Sequence, residues 1–346
     1  MDKNLNSSNY APLILFTYNR LEVLKKTINS LSKNHNIEKT ELFIFSDGPK
    51  NTIEDILKVN EVREYMKLLN KFAKSVTFYE HEKNLGLANS IIFGVNKISK
   101  KYKNFIVLED DLETSEYFIN YMNESLKRYE NQLNVWSING MGINKKLLKF
   151  PNSYEYSTYF TFRSSSHGWG SWSDRWQKSE WNNEKIKREI FNFQNLLKFN
   201  RGGRDLLEML VQQLNGRVDS WAIKWCFTIS RNNGICISPV NSYISAQPDV
   251  DGTHIKGYFE ILDNDLSESL EFNSYPKSVE INYEIAKNLA DIYSPKKPSL
   301  LEPNFRNLKQ AIEYFVFIKK YCIDKYSLKS KKHKLLGYIK SFLRKT

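Results

Sequence analysis

Cysteine is scarce in this chain: Cys226, Cys236 and Cys322 are the only three in 346 residues. They are too few and too scattered for a disulfide framework or a cysteine-rich zinc site. Residues Met1 to Tyr10 are polar and lack the charged start and apolar core of a secretory leader. No apolar run approaches the roughly 20 residues needed to cross a bilayer. Neither the phosphate loop GxxxxGKS/T nor the dinucleotide fingerprint GxGxxG occurs. A secreted mini-protein, a transmembrane protein and a cysteine-based metalloprotein are therefore disfavoured, and a soluble cytoplasmic enzyme is the expectation. With 41% hydrophobic and 26% charged residues, the chain is neither a disordered tail nor a coiled coil. It is long enough for one large domain or two smaller ones around a real core.

The body also has little charge of one sign. The net charge is +12, but residues 319–346 carry +9 of it, leaving +3 for everything before. A protein built to coat nucleic acid keeps its basic face within the fold, so no nucleic-acid partner is expected. Within the basic end, Leu335, Tyr338, Ile339 and Phe342 recur at helical spacing, flanked by Lys334, Lys340, Arg344 and Lys345. A basic amphipathic helix of this kind suits an anionic membrane surface, and it equally suits packing one apolar edge on its own domain.

What is present is alternation. Residues 11–17 (APLILFT), 41–46 (ELFIFS), 75–79 (SVTFY) and 104–108 (NFIVL) read as short buried strands. Between them run helical stripes, one through Leu21, Leu24, Ile28 and Leu31 and another through Ile91, Val95 and Ile98. A third follows Asp111, with Phe118, Tyr121, Met122, Leu126 and Tyr129 on one side. This order predicts an α/β fold, a mostly parallel sheet flanked by helices. The second half is dense in aromatics, with six of the seven tryptophans between Trp169 and Trp225. A further helix is expected from about Pro303 to Tyr321.

In such sheets ligands bind at the carboxyl ends of the strands. There stand Thr17-Tyr18-Asn19-Arg20, Ser46-Asp47-Gly48-Pro49, Asn84-Leu85-Gly86-Leu87-Ala88 and Glu109-Asp110-Asp111. Singly, the first three are ordinary turns and helix starts. The acidic triplet differs, because three successive carboxylates at the end of a buried strand repel one another unless a cation joins them. Mg2+ and Mn2+ are suited to one or two carboxylates plus phosphate oxygens. Acids placed to complement a helix dipole are the alternative, which fits Glu113 and Glu116 better than acids still on the strand.

In this order, these clusters resemble the nucleotide-sugar half of GT-A glycosyltransferases. The run VLEDDLETSEYFINYMNESL, Val107 to Leu126, is similar to the N-acetylglucosaminyltransferase-I-like branch and its bacterial polysaccharide relatives of family 2 type. The likeness continues through NVWSINGMG, HGWGSWSDRWQ and Asp219-Ser220-Trp221 to Asp251-Gly252-Thr253-His254, covering about residues 10–256.

The resemblance implies a Rossmann-like GT-A domain and a role for each matched position. Thr17, Asn19, Arg20 and Asp47 would hold the nucleoside, usually uridine, with Asp47 accepting from the base imide. Asn84 and Gly86 would line the nucleotide side. Asp111 would bind Mn2+ or Mg2+ directly, while Glu109 and Asp110 would contact sugar, ribose or metal-bound water. The metal would bridge the diphosphate and neutralise the leaving UDP. Inversion needs a base for the acceptor hydroxyl, and the family's W-D-D-W-like stretch falls on Val218 to Trp221, implicating Asp219. Asp219 is equally suited to cap the helix that follows, and Asp174 is the second candidate for the base. His254 matches the late histidine that closes over metal or diphosphate. Trp169 and Trp221 are expected in the acceptor or donor pocket, where aromatic faces stack on sugar rings. The Gly-flanked stretch 167–170 would let backbone approach a ligand closely.

The expected organisation is a nucleotide-sugar half over 1–130, an acceptor and catalytic half over 131–262, and a helical C-terminal extension with the basic tail over 263–346. The expected activity is inverting, metal-dependent transfer from a UDP-sugar to a hydroxyl of a saccharide acceptor, lipid-linked or free. It would serve bacterial surface polysaccharide synthesis (capsule, O-antigen or lipooligosaccharide) in the cytoplasm, on the inner face of the membrane if the tail binds there. A sugar-nucleotide pyrophosphorylase shares the sheet but needs a glycine-rich first loop, which Tyr18-Asn19-Arg20 is not. A non-catalytic carbohydrate-binding protein would use the aromatics but gives no reason for the acids.

Overall fold

The computed structural model describes residues 10–293 apart from 70, 191–192, 204, 248–263 and 272. His254, the expected helix near 303–321 and the basic end lie outside the described residues.

Three apolar runs become buried strands: β1 (Leu13–Thr17), β2 (Glu41–Ser46) and β4 (Asn104–Glu109). Strand β3 (Ser75–Glu80) lies at the sheet edge and is only half-buried. Between them come α1 (Leu21–Leu31), α2 (Ile53–Lys67) and α3 (Leu87–Ile98). The predicted stripes are the buried faces: Leu24, Ile28 and Leu31 on α1, and Ile91, Val95 and Ile98 on α3. No stripe predicts α2, because its apolar residues surround the helix. Val59, Val62 and Met66 are buried, while Ile53, Ile56 and Leu57 are exposed.

After β4 the chain forms the short β5 (Leu112–Thr114) and then α4 (Phe118–Arg128), which buries Phe118, Tyr121, Met122 and Leu126 as expected. The second half adds β6 (Val135–Asn139), β7 (Thr158–Thr161) and β8 (Trp169–Trp172). Helices α5 (Ser173–Trp176), α6 (Asn183–Ile190), α7 (Phe193–Asn200), α8 (Leu206–Leu214) and α9 (Trp221–Arg231) follow. Strands β9 (Ile235–Pro239) and β10 (Ile244–Ala246) complete the sheets, and the final described helix is Tyr283–Ile292.

Eight strands form one sheet in the order β3-β2-β1-β4-β8-β6-β9-β7, and β10 pairs with β5 in a separate ribbon. The β3-β2-β1-β4 portion is parallel, β8 runs antiparallel to both its neighbours, β6 and β9 are parallel, and β7 is antiparallel to β9. The expected mostly parallel, helix-flanked sheet is present, and one sheet spans both halves of the chain. Helices α1 and α4 cover one face, around Leu13, Leu15 and Leu108. Helices α3 and α9 cover the other, around Ile14, Phe16, Phe105 and Val107.

The chain winds from β1 to β2 and β3 on one side, then returns to place β4 on the other side of β1. The direction of winding reverses between the parallel strands β1 and β4, and a parallel sheet opens a crevice at the carboxyl ends of two such strands. The loops after Thr17 and Glu109 meet there.

Candidate active site

The crevice is held together by a cation. Arg20 Nη2 lies 2.5 Å from Asp110 Oδ1 and 3.1 Å from Asp111 Oδ2. Asp110 is 3% exposed, and its other oxygen accepts from Thr17 Oγ1 at 2.9 Å and Tyr18 N at 3.3 Å. Burial pushes its carboxyl above the usual carboxylate range, while Arg20 and Thr17 oppose that rise. The cation that the acidic triplet needs is thus supplied, for two of its members, by the chain itself.

Side chains alternate along β4, so the triplet does not point one way. Leu108 joins the core on the α1 side and Val107 the core on the α3 and α9 side, which places Glu109 on the latter face. Burial, then the neighbouring charges of Asp111 and Asp110, hold the Glu109 carboxyl well above its ordinary range. Among the described residues no group of three or more His, Cys, Asp or Glu side chains is arranged to hold a metal. The three acids therefore do not converge as a ready-made cage.

A divalent ion on a diphosphate needs only one or two carboxylates from the protein. Asp111 meets that need: its side chain is 16% exposed, and Oδ1 accepts no hydrogen bond among the described residues. The donor set thus fits Mn2+ or Mg2+ at Asp111.

Asp47 departs from expectation. Its Oδ1 accepts from Gly48 N at 2.8 Å and Leu85 N at 2.9 Å, and its Oδ2 from Gly86 N at 3.0 Å and Asn84 Nδ2 at 3.2 Å. Four donors account for the lone-pair directions of a carboxylate. Asp47 is therefore a buried brace for the 84–86 loop, and its oxygens are not free to accept from a base. Asn84 belongs to the same brace, donating also to Gly48 O at 2.9 Å. Asp47 N donates to Thr17 O at 3.0 Å, which ties this loop to the β1 end.

Asn19 donates to Asp55 Oδ1 at 2.7 Å. Asp55, on the first turn of α2, also accepts from Tyr18 Oη and Lys50 N. Burial raises the Asp55 carboxyl, but these hydrogen bonds outweigh it and hold the group below its ordinary range. A cavity of about 200 Å3 opens beside it, lined by Asn19, Lys50, Thr52, Glu54, Asp55 and Lys58. Sequence reading missed Asp55. The available signal was Thr52 as N-cap, accepting from Asp55 N at 3.3 Å, which marks the start of a helix. Arg63 was also missed. It donates to Ser46 Oγ at 3.2 Å and His81 O at 2.7 Å, fastening the ends of β2 and β3.

Gly86 has φ +77°, a backbone conformation that favours glycine. A Cβ built there would lie 3.9 Å from Asp219 Oδ2. The structure thus brings Asp219, just before α9, against the 84–86 loop. The N-cap of α9 is Ser220, whose side chain accepts from Ile223 N at 3.4 Å. Asp219 does not cap the helix, contrary to that alternative, and its carboxylate is exposed. Asp174 pairs with its neighbour Arg175 at 3.0 Å.

The tryptophans require a correction. Trp169 is 0% and Trp221 3% exposed, and their rings stack with centroids 5.0 Å apart. Trp176, Trp225 and Phe105 close around them. The aromatic surplus fills the core under α3 and α9, so neither ring presents a face to a sugar. Gly168, at φ +61°, serves packing on the opposite side of the sheet, since a Cβ there would meet Ile244 Cδ1 at 2.7 Å in the core that also holds Phe118.

No curated protein matches the chain. Among solved structures, a mannosyltransferase from Pyrobaculum calidifontis, in complex with GDP-Man and Mn2+, aligns with a TM-score of 0.33 and 12% identity, over 51% of this chain and 50% of its own. TarS of S. aureus aligns with a TM-score of 0.37 and 12% identity, over 69% of this chain and 37% of its own. The chain thus spans about half the length of the first and just over a third of the second. Residues 13–194, more than half of the chain, match the model of glycosyl transferase family 2, from β1 past the acid turn, β8 and α6 to the start of α7. A sheet with its crevice at the β1–β4 switch, and carboxylates gathered at that crevice, is the framework on which this match falls, and the chain belongs to glycosyl transferase family 2.

Proposed function

We propose that this glycosyltransferase uses a UDP-sugar and a divalent metal and inverts configuration at the transferred sugar. Two observations support the reading: Asp111 at the β1–β4 crevice has a carboxylate oxygen that accepts no hydrogen bond among the described residues, and the exposed Asp219 stands beside Gly86. The uridine assignment rests on the sequence resemblance, with Thr17, Asn19 and Arg20 on the nucleoside side. A bound Mn2+ or Mg2+ supplies a Lewis acid that neutralises charge on the leaving diphosphate.

The chain's own residues perform the rest. Arg20 keeps the buried Asp110 charged partner satisfied and the acid turn closed against β1. Asp47 fixes the 84–86 loop so that its backbone can border the nucleotide. Asp219 accepts the proton of the acceptor hydroxyl as that oxygen attacks the sugar. Its exposure leaves room for an incoming saccharide. Glu109, at the end of β4, is the carboxyl assigned to the donor sugar in this reading.

The division into a nucleotide-sugar half, an acceptor half and an extension after residue 262 belongs to this proposal, as does a role in bacterial surface polysaccharide synthesis. No helix among the described residues is long and apolar enough to cross a membrane. Attachment to an anionic membrane surface through the basic 319–346 segment is the proposed mode for a lipid-linked acceptor, supported by its charge pattern. UDP release from a panel of UDP-sugars, with and without Mn2+, tests the reading. Metal-dependent release with one donor class is expected, and release that ignores metal or favours another nucleotide would contradict it.

A further inference from the structure

The acid turn lies beyond the strand ladder, and something else must fix its backbone. Strand β4 ends at Glu109, and β5 begins at Leu112. The two carbonyls between are both held by groups distant in sequence. Thr27 Oγ1 donates to Asp110 O at 2.5 Å. Gln247 N donates to Asp111 O at 2.9 Å, just past the Ala246–Leu112 pair of the β10–β5 ribbon.

These two holds are joined. Gln247 Nε2 donates to Thr27 Oγ1 at 3.1 Å and to Val23 O at 3.1 Å. Thr27 Oγ1 also lies 3.4 Å from Val23 O, but the Gln247 amide donates to that carbonyl as well, and the hydroxyl's nearer acceptor is Asp110 O. Thr27 is fully buried and Gln247 is 5% exposed. Gln247 Oε1 accepts from nothing among the described residues. A buried amide with one oxygen unpartnered costs stability, and an apolar side chain of the same length would fill the space without that cost. What the amide adds is direction for the Thr27 hydroxyl.

We propose that Gln247 is a positioning residue for metal–diphosphate binding, holding the Asp110–Asp111 turn in place through Thr27 and through its own backbone N–H; this rests on the reading that the turn holds the metal. Divalent ions with few protein ligands tolerate little displacement. Groups that orient metal ligands, once removed, typically cost 10–100-fold in affinity or activity.

The test is a calorimetric Mn2+ titration in the presence of UDP, beside steady-state kinetics and melting curves on the full chain. Gln247→Met and Thr27→Val should each raise the Mn2+ needed for half-saturation about tenfold or more. The kinetic loss should fall on the metal and donor KM, with kcat within a few fold. Thr27→Ser keeps the hydroxyl and should stay near wild type. Because both residues act through one chain of bonds, the double variant should be no worse than the poorer single. Thr114→Val is the control: its hydroxyl accepts from Asn34 Nδ2 at 2.8 Å on the same ribbon, without touching the turn. It should lower the melting temperature and leave Mn2+ half-saturation alone.

Unchanged half-saturation in folded Gln247→Met overturns the inference, as does an equal shift in Thr114→Val. Should Gln247→Met not fold, the contrast between Thr27→Val and Thr27→Ser decides in the same way. Wild-type UDP binding that ignores Mn2+ overturns the metal reading and this inference together. Metal-dependent UDP binding whose Mn2+ half-saturation is unshifted in both Gln247→Met and Thr27→Val overturns this inference alone.

Discussion

The carboxylate of Asp219 stands against Gly86, its Oδ2 3.9 Å from where a β-carbon would be. Contact between the start of α9 and the start of α3 brings an exposed acid to the loop that Asp47 braces. Ser220 takes the capping duty, so Asp219 can change partner without loosening α9. Asp219→Asn should therefore fold and bind UDP as the wild type does, while transfer falls by about 10²–10⁴-fold, the usual worth of a general base. Calorimetry with UDP and turnover with the identified donor measure the two properties separately. Near-normal turnover would remove Asp219 from the role.

Arg20 is the counter-charge of the acid turn, and its loss should show in stability as well as in donor binding. Arg20→Ala leaves Asp110 buried with Thr17 and Tyr18 N as remaining donors. Breaking a buried pair is costly, but the Arg20 side chain is 29% exposed, so the expected loss is about 2 kcal/mol rather than the larger values of enclosed pairs. Urea denaturation at neutral pH reads it, and a change below about 0.5 kcal/mol would show that the pair is merely superficial.

Asp55 gives the fold an acid-sensitive element. Its folded-state carboxyl lies below the ordinary range because Tyr18, Lys50 N and Asn19 donate to it against the effect of burial. The sign follows: the stabilisation is complete above the unfolded carboxyl's titration and is lost as pH falls through the folded value. Asp55→Asn cannot titrate, so the stability gap between wild type and variant should narrow between about pH 5 and about pH 2. Melting temperatures across that range check it, and a constant gap would contradict it.

Trp169 should behave as core. Trp169→Ala is expected to cost about 3–5 kcal/mol, while Trp169→Phe should recover much of that and leave the acceptor KM near wild type. A folded Trp169→Phe enzyme with a selective rise in acceptor KM would restore the ring to a sugar-contacting role.

The contrast between halves explains what the sequence could reveal. Strands β1, β2 and β4 were legible because both faces are covered, and their near-continuous apolar runs stand out from polar loops. The helix stripes of α1, α3 and α4 were legible for the complementary reason, one buried face each. Helix α2 escaped because Ile53, Ile56 and Leu57 face outward, leaving no stripe to read. The strand-end rule found the neighbourhood of Thr17, Arg20 and the acids, yet not the bonding within it. Whether Asp47 offers its oxygens to a ligand or spends them on Leu85 and Gly86 depends on the path of a loop nearly 40 residues away. The tryptophans mislead for the same reason: their clustering in sequence is visible, but whether Trp169 and Trp221 face a cleft or each other is decided by how α9 packs on β8. Gln247 was silent, since a lone glutamine acquires meaning only when β10 lies beside β5.

The most direct measurement is UDP binding by calorimetry to wild type and to Asp111→Ala, each with and without Mn2+. The expected result is wild-type affinity that rises at least tenfold with Mn2+, and a variant in which that rise is gone while the metal-free affinity is kept. Equal UDP affinity in all four conditions would contradict the assignment of a metal-held diphosphate to the turn at Asp111.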